Sequence, residues 1–140
     1  MQLQSKVKLE LRIDWSEMDL FGHVNNISIM KYVQAARVNY LELIGLMPIP
    51  AEIRTGPILA SSACQFRKPL FYPGQLTIYS KVADIKSTSF VMQHLIVNHK
   101  NETIAEAQDV LVLYDFDKNT KIILPESVKS KIRELEKGAL

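Results

Sequence analysis

Asp19-Leu20-Phe21-Gly22-His23-Val24-Asn25-Asn26 stands directly before the one long segment of helical spacing in this chain, Ile27 to Ile44. Ile29, Val33, Ala36, Tyr40 and Leu43 fall on one face of that segment. Met30, Arg37, Leu41 and Ile44 fall on the neighbouring face, so the apolar arc is wide. Asn25 or Asn26 can cap the helix, because an Asn side chain accepts from the orphan N–H groups of a first turn. Gly45 is placed to stop it, and Pro48 and Pro50 keep it from resuming. About 18 residues give a helix roughly 27 Å long. A helix with so much apolar surface calls for a sheet to enclose it.

The sheet is visible on both sides of that helix. Val7, Leu9, Leu11 and Ile13 alternate with Lys6, Lys8, Glu10 and Arg12, the period of a strand with one buried face. The alternation stops at Asp14-Trp15-Ser16, and the loop Ser16 to Val24 follows. Beyond the connection Ala51 to Pro57 come four strand-like runs, at Ile58 to Arg67, Gln75 to Ile85, Ser89 to His99 and Thr103 to Phe116. The breaks between them are short and of turn type: Pro69 with Pro73-Gly74, Lys86-Ser87 and Lys100-Asn101-Glu102. Such breaks favour antiparallel hairpins. Asp117-Lys118-Asn119 ends the last run. Leu124-Pro125-Glu126 opens a short helix with Val128, Ile132 and Leu135 on one side. This order predicts a single α+β domain over residues 1–140, with an antiparallel sheet of about five strands wrapped around a long central helix.

Composition removes several function classes. Lys and Arg total 17 against 15 Asp and Glu, interspersed, and no aromatics interleave with basic runs, so no nucleic-acid partner is expected. No apolar run approaches transmembrane length, and Met1 to Glu10 lacks the apolar core of a signal peptide. The single cysteine, Cys64, has no internal partner and reads as a small buried hydrophobe, in keeping with a cytoplasmic location. Two glycosylation sequons, at Asn26 and Asn101, are read as incidental without a secretory signal. His94 and His99 lack metal-site spacing with His23, so no metal is expected. Ser61-Ser62 lacks the glycines of a nucleophile elbow, and neither a P-loop nor a dinucleotide fingerprint is present. The lysines are read as solvated surface charge. Asp14 and Glu17 are read as solvated charges at a strand end. Arg37, on an apolar helix arc, is expected to pair with a buried carboxylate or carbonyl.

Together with this element order, Asp19-x-x-Gly22-His23-Val24-Asn25-Asn26 followed by Ala36-Arg37 resembles the hotdog-fold acyl-CoA thioesterases of the 4-hydroxybenzoyl-CoA thioesterase superfamily. Phe66-Arg67-Lys68-Pro69-Leu70 before Pro73-Gly74, Ser89-Phe90 and Leu124-Pro125-Glu126 extend the resemblance over nearly the whole chain. The resemblance implies hydrolysis of an acyl-CoA to a free carboxylic acid and CoA without a cofactor. It places the nucleophile or general base at Asp19 and the oxyanion donor at the backbone N–H of Asn26. That second role is physically sound, because first-turn N–H groups lack intrahelical partners and the helix dipole favours negative charge there.

His23 is a candidate for orienting the loop or assisting the leaving thiolate. Gly22 is a candidate for letting the loop approach the substrate, and Asn25 for capping or for bonding the attacking water. Ile29 and Gln34 stand where many relatives carry Tyr and Glu, so catalysis is assigned to the Asp19 loop alone. The resemblance also implies a homodimer or homotetramer with sheets joined edge to edge and sites between subunits. The alternatives are an acyl-carrier-protein thioesterase and a non-catalytic acyl-CoA-binding or assembly module of the same fold. A hotdog-type hydratase fits the local pattern less well.

Overall fold

A computed structural model describes residues 5–137. Strand β1 (Val7–Arg12) leads through a turn of 3-10 helix (Trp15–Glu17) to α1 (Asn26–Leu43). Then come β2 (Thr55–Phe66), β3 (Gln75–Ile85), β4 (Ser89–Asn98), β5 (Thr103–Asp115), β6 (Thr120–Lys121) and α2 (Glu126–Leu135). The strands form one antiparallel sheet in the order β1-β3-β4-β5-β2, with β6 added to β5. This is the α+β arrangement read from the sequence, enlarged by one short strand.

The differences are local. β2 starts at Thr55 instead of Ile58, because Thr55, Gly56 and Pro57 pair with Asp115, Tyr114 and Leu113. Pro57 is tolerated in a strand because β2 lies at the edge of the sheet. β6 follows a turn in which Asp115 Oδ1 accepts from the N–H groups of Asp117 and Lys118. Two paired residues carry no readable period. α1 runs from Asn26 to Leu43, one position earlier than its apolar pattern. It ends on Gly45 at φ +80°, with Leu46 N–H donating to Leu41 O at 2.9 Å and Gly45 N–H to Glu42 O at 3.2 Å. That pair of bonds is the Schellman closure that glycine permits.

α1 lies across β1, β3 and β4. Its first half packs Ile29, Tyr32, Val33 and Ala36 against Ile13, Ile78 and Ile96. Its second half packs Tyr40, Leu41 and Ile44 with Val82, Phe90, Met92 and the Val128–Ile132 face of α2. Burying each such aliphatic side chain is worth about 1.5–3 kcal/mol. Glu136 Oε2 accepts from Tyr40 Oη–H and, at 3.2 Å, from Val82 N–H, tying the end of α2 to both layers.

The enclosure stops before β2. Leu59 and Phe66 sit opposite the buried Leu111 and Ala105, on the same face of the sheet, yet are 44% and 46% exposed. Cys64, opposite Ala107, is half-buried there and not fully buried as expected. Burial and the nearby Asp109 charge push its thiol up. Among the described residues no helix is long and apolar enough to cross a membrane.

Candidate active site

The loop before α1 closes on itself. An isolated bridge pairs Met18 with Val24. Inside it, Asp19 N–H donates to His23 O at 2.7 Å and Gly22 N–H donates to Asp19 O at 3.3 Å. Gly22 has φ +83°, a left-handed conformation that costs an L side chain roughly 1–2 kcal/mol. A Cβ there would meet no atom within 4 Å, so the backbone torsion alone demands glycine. Val24 N–H donates to Leu70 O at 2.8 Å and pins the loop to the β2–β3 connection.

The Asp19 carboxylate is used unevenly. Its Oδ1 accepts from Phe21 N–H at 2.8 Å and His23 N–H at 3.2 Å. Its Oδ2 makes no hydrogen bond among the described residues and lies 3.8 Å from His23 Nδ1. The His23 ring meets Phe71 edge-on, with centroids 5.6 Å apart. Asp19 and Gly22 line a cleft of about 410 Å³ with Trp15, Ser16, Met18 and Tyr72. Trp15, Leu20, Phe21 and Ile27 present exposed apolar surface in the same loop and first turn.

Asn25 caps α1: its Oδ1 accepts from Ser28 N–H at 2.7 Å, and its carbonyl accepts from Ile29 N–H at 3.1 Å. This settles which asparagine caps the helix. The N–H groups of Asn26 and Ile27 have no acceptor among the described residues. They are the positive end of a helix of 18 residues. Asp19, Gly22 and His23 therefore share one closed loop, and Asn25 and Asn26 form the junction of that loop with the helix. A carboxylate oxygen and unpaired helix-start amides in one short stretch can serve attack on a carbonyl and binding of the resulting oxyanion.

Glu17 is not the solvated charge expected from the sequence. Its Oε1 accepts from Tyr32 Oη–H at 2.6 Å and from Asp14 N–H at 2.8 Å. The Asp14-x-x-Glu17 spacing, that of a capping box, is the signal that identifies such a carboxylate. Burial, with the Glu17 hydrogen bond and charge, pushes the Tyr32 phenol far up. Arg37 has the buried carboxylate partner expected of it: its Nε donates to Asp109 Oδ2 at 3.0 Å.

Asp109 also accepts from Ser62 Oγ–H at 2.7 Å and bonds His94 Nε2 at 2.8 Å, while His94 Nδ1 meets Ser80 Oγ at 2.8 Å. Burial alone would raise the Asp109 carboxyl, but the bonds from His94, Arg37 and Ser62 hold it at about 2. Strand parity could have revealed this chain. Ser80 falls in phase with Ile78 and Val82, His94 with Met92 and Ile96, and Asp109 with Ala107 and Leu111. Among the described residues no three His, Cys, Asp or Glu side chains are grouped to hold a metal ion.

The model of the thioesterase-like superfamily matches residues 13–132. The chain belongs to that superfamily, and its class is thioester hydrolase. It is 30% identical over 127 residues to the chloroplastic acyl-acyl carrier protein thioesterase ATL3 of Arabidopsis thaliana, covering 89% of this chain and 66% of that protein. Among solved structures, the PA2801 protein of Pseudomonas aeruginosa matches with a TM-score of 0.80 at 25% identity, over 89% of this chain and 96% of the other. A thioesterase of Thermus thermophilus, solved with coenzyme A and zinc, matches with a TM-score of 0.80 at 24% identity, over 96% of each chain. The open antiparallel sheet, long helix and short C-terminal helix make the hotdog fold.

Proposed function

We propose that the chain hydrolyses acyl-CoA thioesters to a free carboxylic acid and CoA, with Asp19 as nucleophile or general base and the Asn26 N–H as oxyanion donor. One observation carries this reading. Asp19 Oδ1 is held by two loop amides while Oδ2 is uncommitted, and the same loop runs into a helix start with unpaired N–H groups. The held oxygen fixes the carboxylate's orientation, and the free one is left for chemistry.

The thioester carbonyl carbon is attacked either by Asp19 Oδ2 or by a water that Asp19 deprotonates. The oxyanion so formed is stabilised at the Asn26 N–H, a type of donor whose loss costs on the order of 10²–10³ in rate. Collapse expels the CoA thiolate. If Asp19 attacked directly, water then cleaves the acyl–aspartyl anhydride and restores the carboxylate. His23 Nδ1, beside Oδ2, orients the carboxylate or protonates the thiolate. Gly22 supplies the turn that lets the loop approach the thioester, and Asn25 holds the helix start that receives it. This chemistry needs no metal and no redox cofactor.

A second reading, an acyl-carrier-protein thioester as substrate, is favoured by the likeness to the plant acyl-acyl carrier protein thioesterase. The CoA-bound relative supports the first. We also propose a homodimer, with homotetramers built from it, formed along the β2 edge. An unpaired strand edge and the uncovered Leu59 and Phe66 support that assembly. Free-thiol release from short, long and aromatic acyl-CoAs and from an acyl-carrier protein, by wild type and Asp19→Asn, tests the reading. Turnover on acyl-CoA that depends on Asp19 is the expected result. Turnover on the carrier protein alone would replace the substrate, and acyl-CoA binding with no turnover on any thioester would overturn hydrolysis in favour of a binding module.

A further inference from the structure

Glu17 holds two parts of the site at once. Its side chain is clamped by Tyr32 Oη–H at 2.6 Å and Asp14 N–H at 2.8 Å. Its backbone carbonyl accepts from both nitrogens of Asn25, N–H at 2.9 Å and Nδ2–H at 3.0 Å. The second of these bonds turns the Asn25 amide so that Oδ1 faces Ser28 N–H. The helix cap is therefore oriented by the residue two positions before Asp19. That residue is in turn anchored to Tyr32, further along the same helix, which is 4% exposed and packed in the core cluster of Ile13, Val24 and Ile29.

We propose that Glu17 and Tyr32 form a strap that sets the position of the Asp19 carboxylate against the first-turn amides of α1, making both positioning residues for the reaction. The inference rests on the reading of Asp19 and Asn26 given above. Without the strap the arm from Trp15 to Asp19 keeps its covalent path but loses its side-chain tie to the helix. Reacting groups then sample misaligned positions, and an error of about 1 Å can cost on the order of 10²-fold in rate. Glu17 does not itself act on the thioester, because it does not line the cleft that Asp19 and Gly22 share, and its side-chain ties run to Tyr32 and to the strand end.

Three substitutions test this in the full chain. Tyr32→Phe keeps the buried ring and removes only the hydroxyl. Glu17→Ala removes the acceptor, and Glu17→Gln keeps an acceptor oxygen while removing the charge. In thiol release, Tyr32→Phe and Glu17→Ala should each lower kcat about tenfold or more with KM little changed. Glu17→Ala/Tyr32→Phe should be no worse than the poorer single variant, because both cut one strap. Glu17→Gln should stay near wild type, whereas a collapse in Glu17→Gln would make Glu17 the base and overturn the proposal.

Amide hydrogen exchange supplies a readout independent of turnover. The Asn25 and Ser28 amides should lose protection in Tyr32→Phe while Ile96 in β4 keeps its own. Wild-type kcat in Tyr32→Phe, or unchanged exchange at Asn25, would overturn the strap. Unchanged turnover in Asp19→Asn would instead overturn the catalytic reading and leave the exchange result standing.

Discussion

The chemistry proposed for Asp19 rests on the division between its two oxygens, and that division depends on neighbours that hold the loop shut. Asn25 is the most exposed of these dependencies to test. Its Oδ1 caps Ser28 N–H and its Nδ2 reaches Glu17 O, so Asn25→Ala deletes both. Loss of a helix cap costs about 1 kcal/mol, which thermal unfolding should register as a drop of a few degrees. The thiol-release rate should fall further than that stability loss explains, because the freed helix start no longer faces Asp19 in one position. A variant with wild-type turnover would remove Asn25 from the site. At this scale the order of Asp19, Gly22 and the helix start at one junction was legible in the sequence, while the catalytic role assigned to Asp19 came from the resemblance of the motif to a known family. The choice between Asn25 and Asn26 as cap was not legible, since either side chain suits and only the backbone path decides. The capping-box spacing marks Glu17 as held, but its bond to Tyr32 is not legible, because a loop carboxylate carries no period and Tyr32 lies more than a helical turn inside α1.

At the scale of elements, the polar chain from Ser80 through His94 and Asp109 to Arg37 and Ser62 joins β3, β4, β5, α1 and β2. Asp109 is fully buried, and its carboxyl is held at about 2 against an ordinary 3.8. A depressed carboxyl stabilises the folded state above its unfolded value and loses that contribution as pH falls through its folded one. Asp109 should therefore add roughly 2 kcal/mol above about pH 4, lost between about pH 4 and pH 2. Denaturant titrations across that window should show a steeper loss in wild type than in Asp109→Asn, which keeps only the share of other depressed carboxyls such as Glu102 and Asp115. Asp109→Ala strands Arg37 and His94 without their shared acceptor, and breaking such a buried pair costs about 3–5 kcal/mol. Stability of Asp109→Ala within about 1 kcal/mol of wild type would contradict the network. The period of two placed these strands correctly, and the three inward polar residues were in phase with it. What the sequence withheld was which of them meet, because register between strands comes from pairing across the sheet.

For the whole molecule, the order of the elements other than β6 was readable from end to end, since each of those strand runs and turns was bounded by local chemistry. The extent of the sheet beyond α1 was not. The wide apolar arc of α1 predicted a helix wrapped by the sheet, and α1 does reach β5 through Arg37 and Asp109, but the sheet runs on to β2, where Leu59 and Phe66 stay exposed. That uncovered end is where a second copy is proposed to sit. Sedimentation should give twice the 15.9 kDa chain mass or a higher even multiple. Charges introduced by Leu59→Lys with Phe66→Glu should shift the population toward monomer and lower turnover with it. A wild-type monomer active at assay concentrations would contradict the assembly. The central claim is that Asp19 performs the hydrolysis, and thiol release from acyl-CoA by Asp19→Asn tests it most directly. Asparagine preserves the size and the Oδ1 acceptor but removes the charge, so turnover should fall by about 10²–10⁴-fold with acyl-CoA binding retained. Turnover equal to wild type would contradict it.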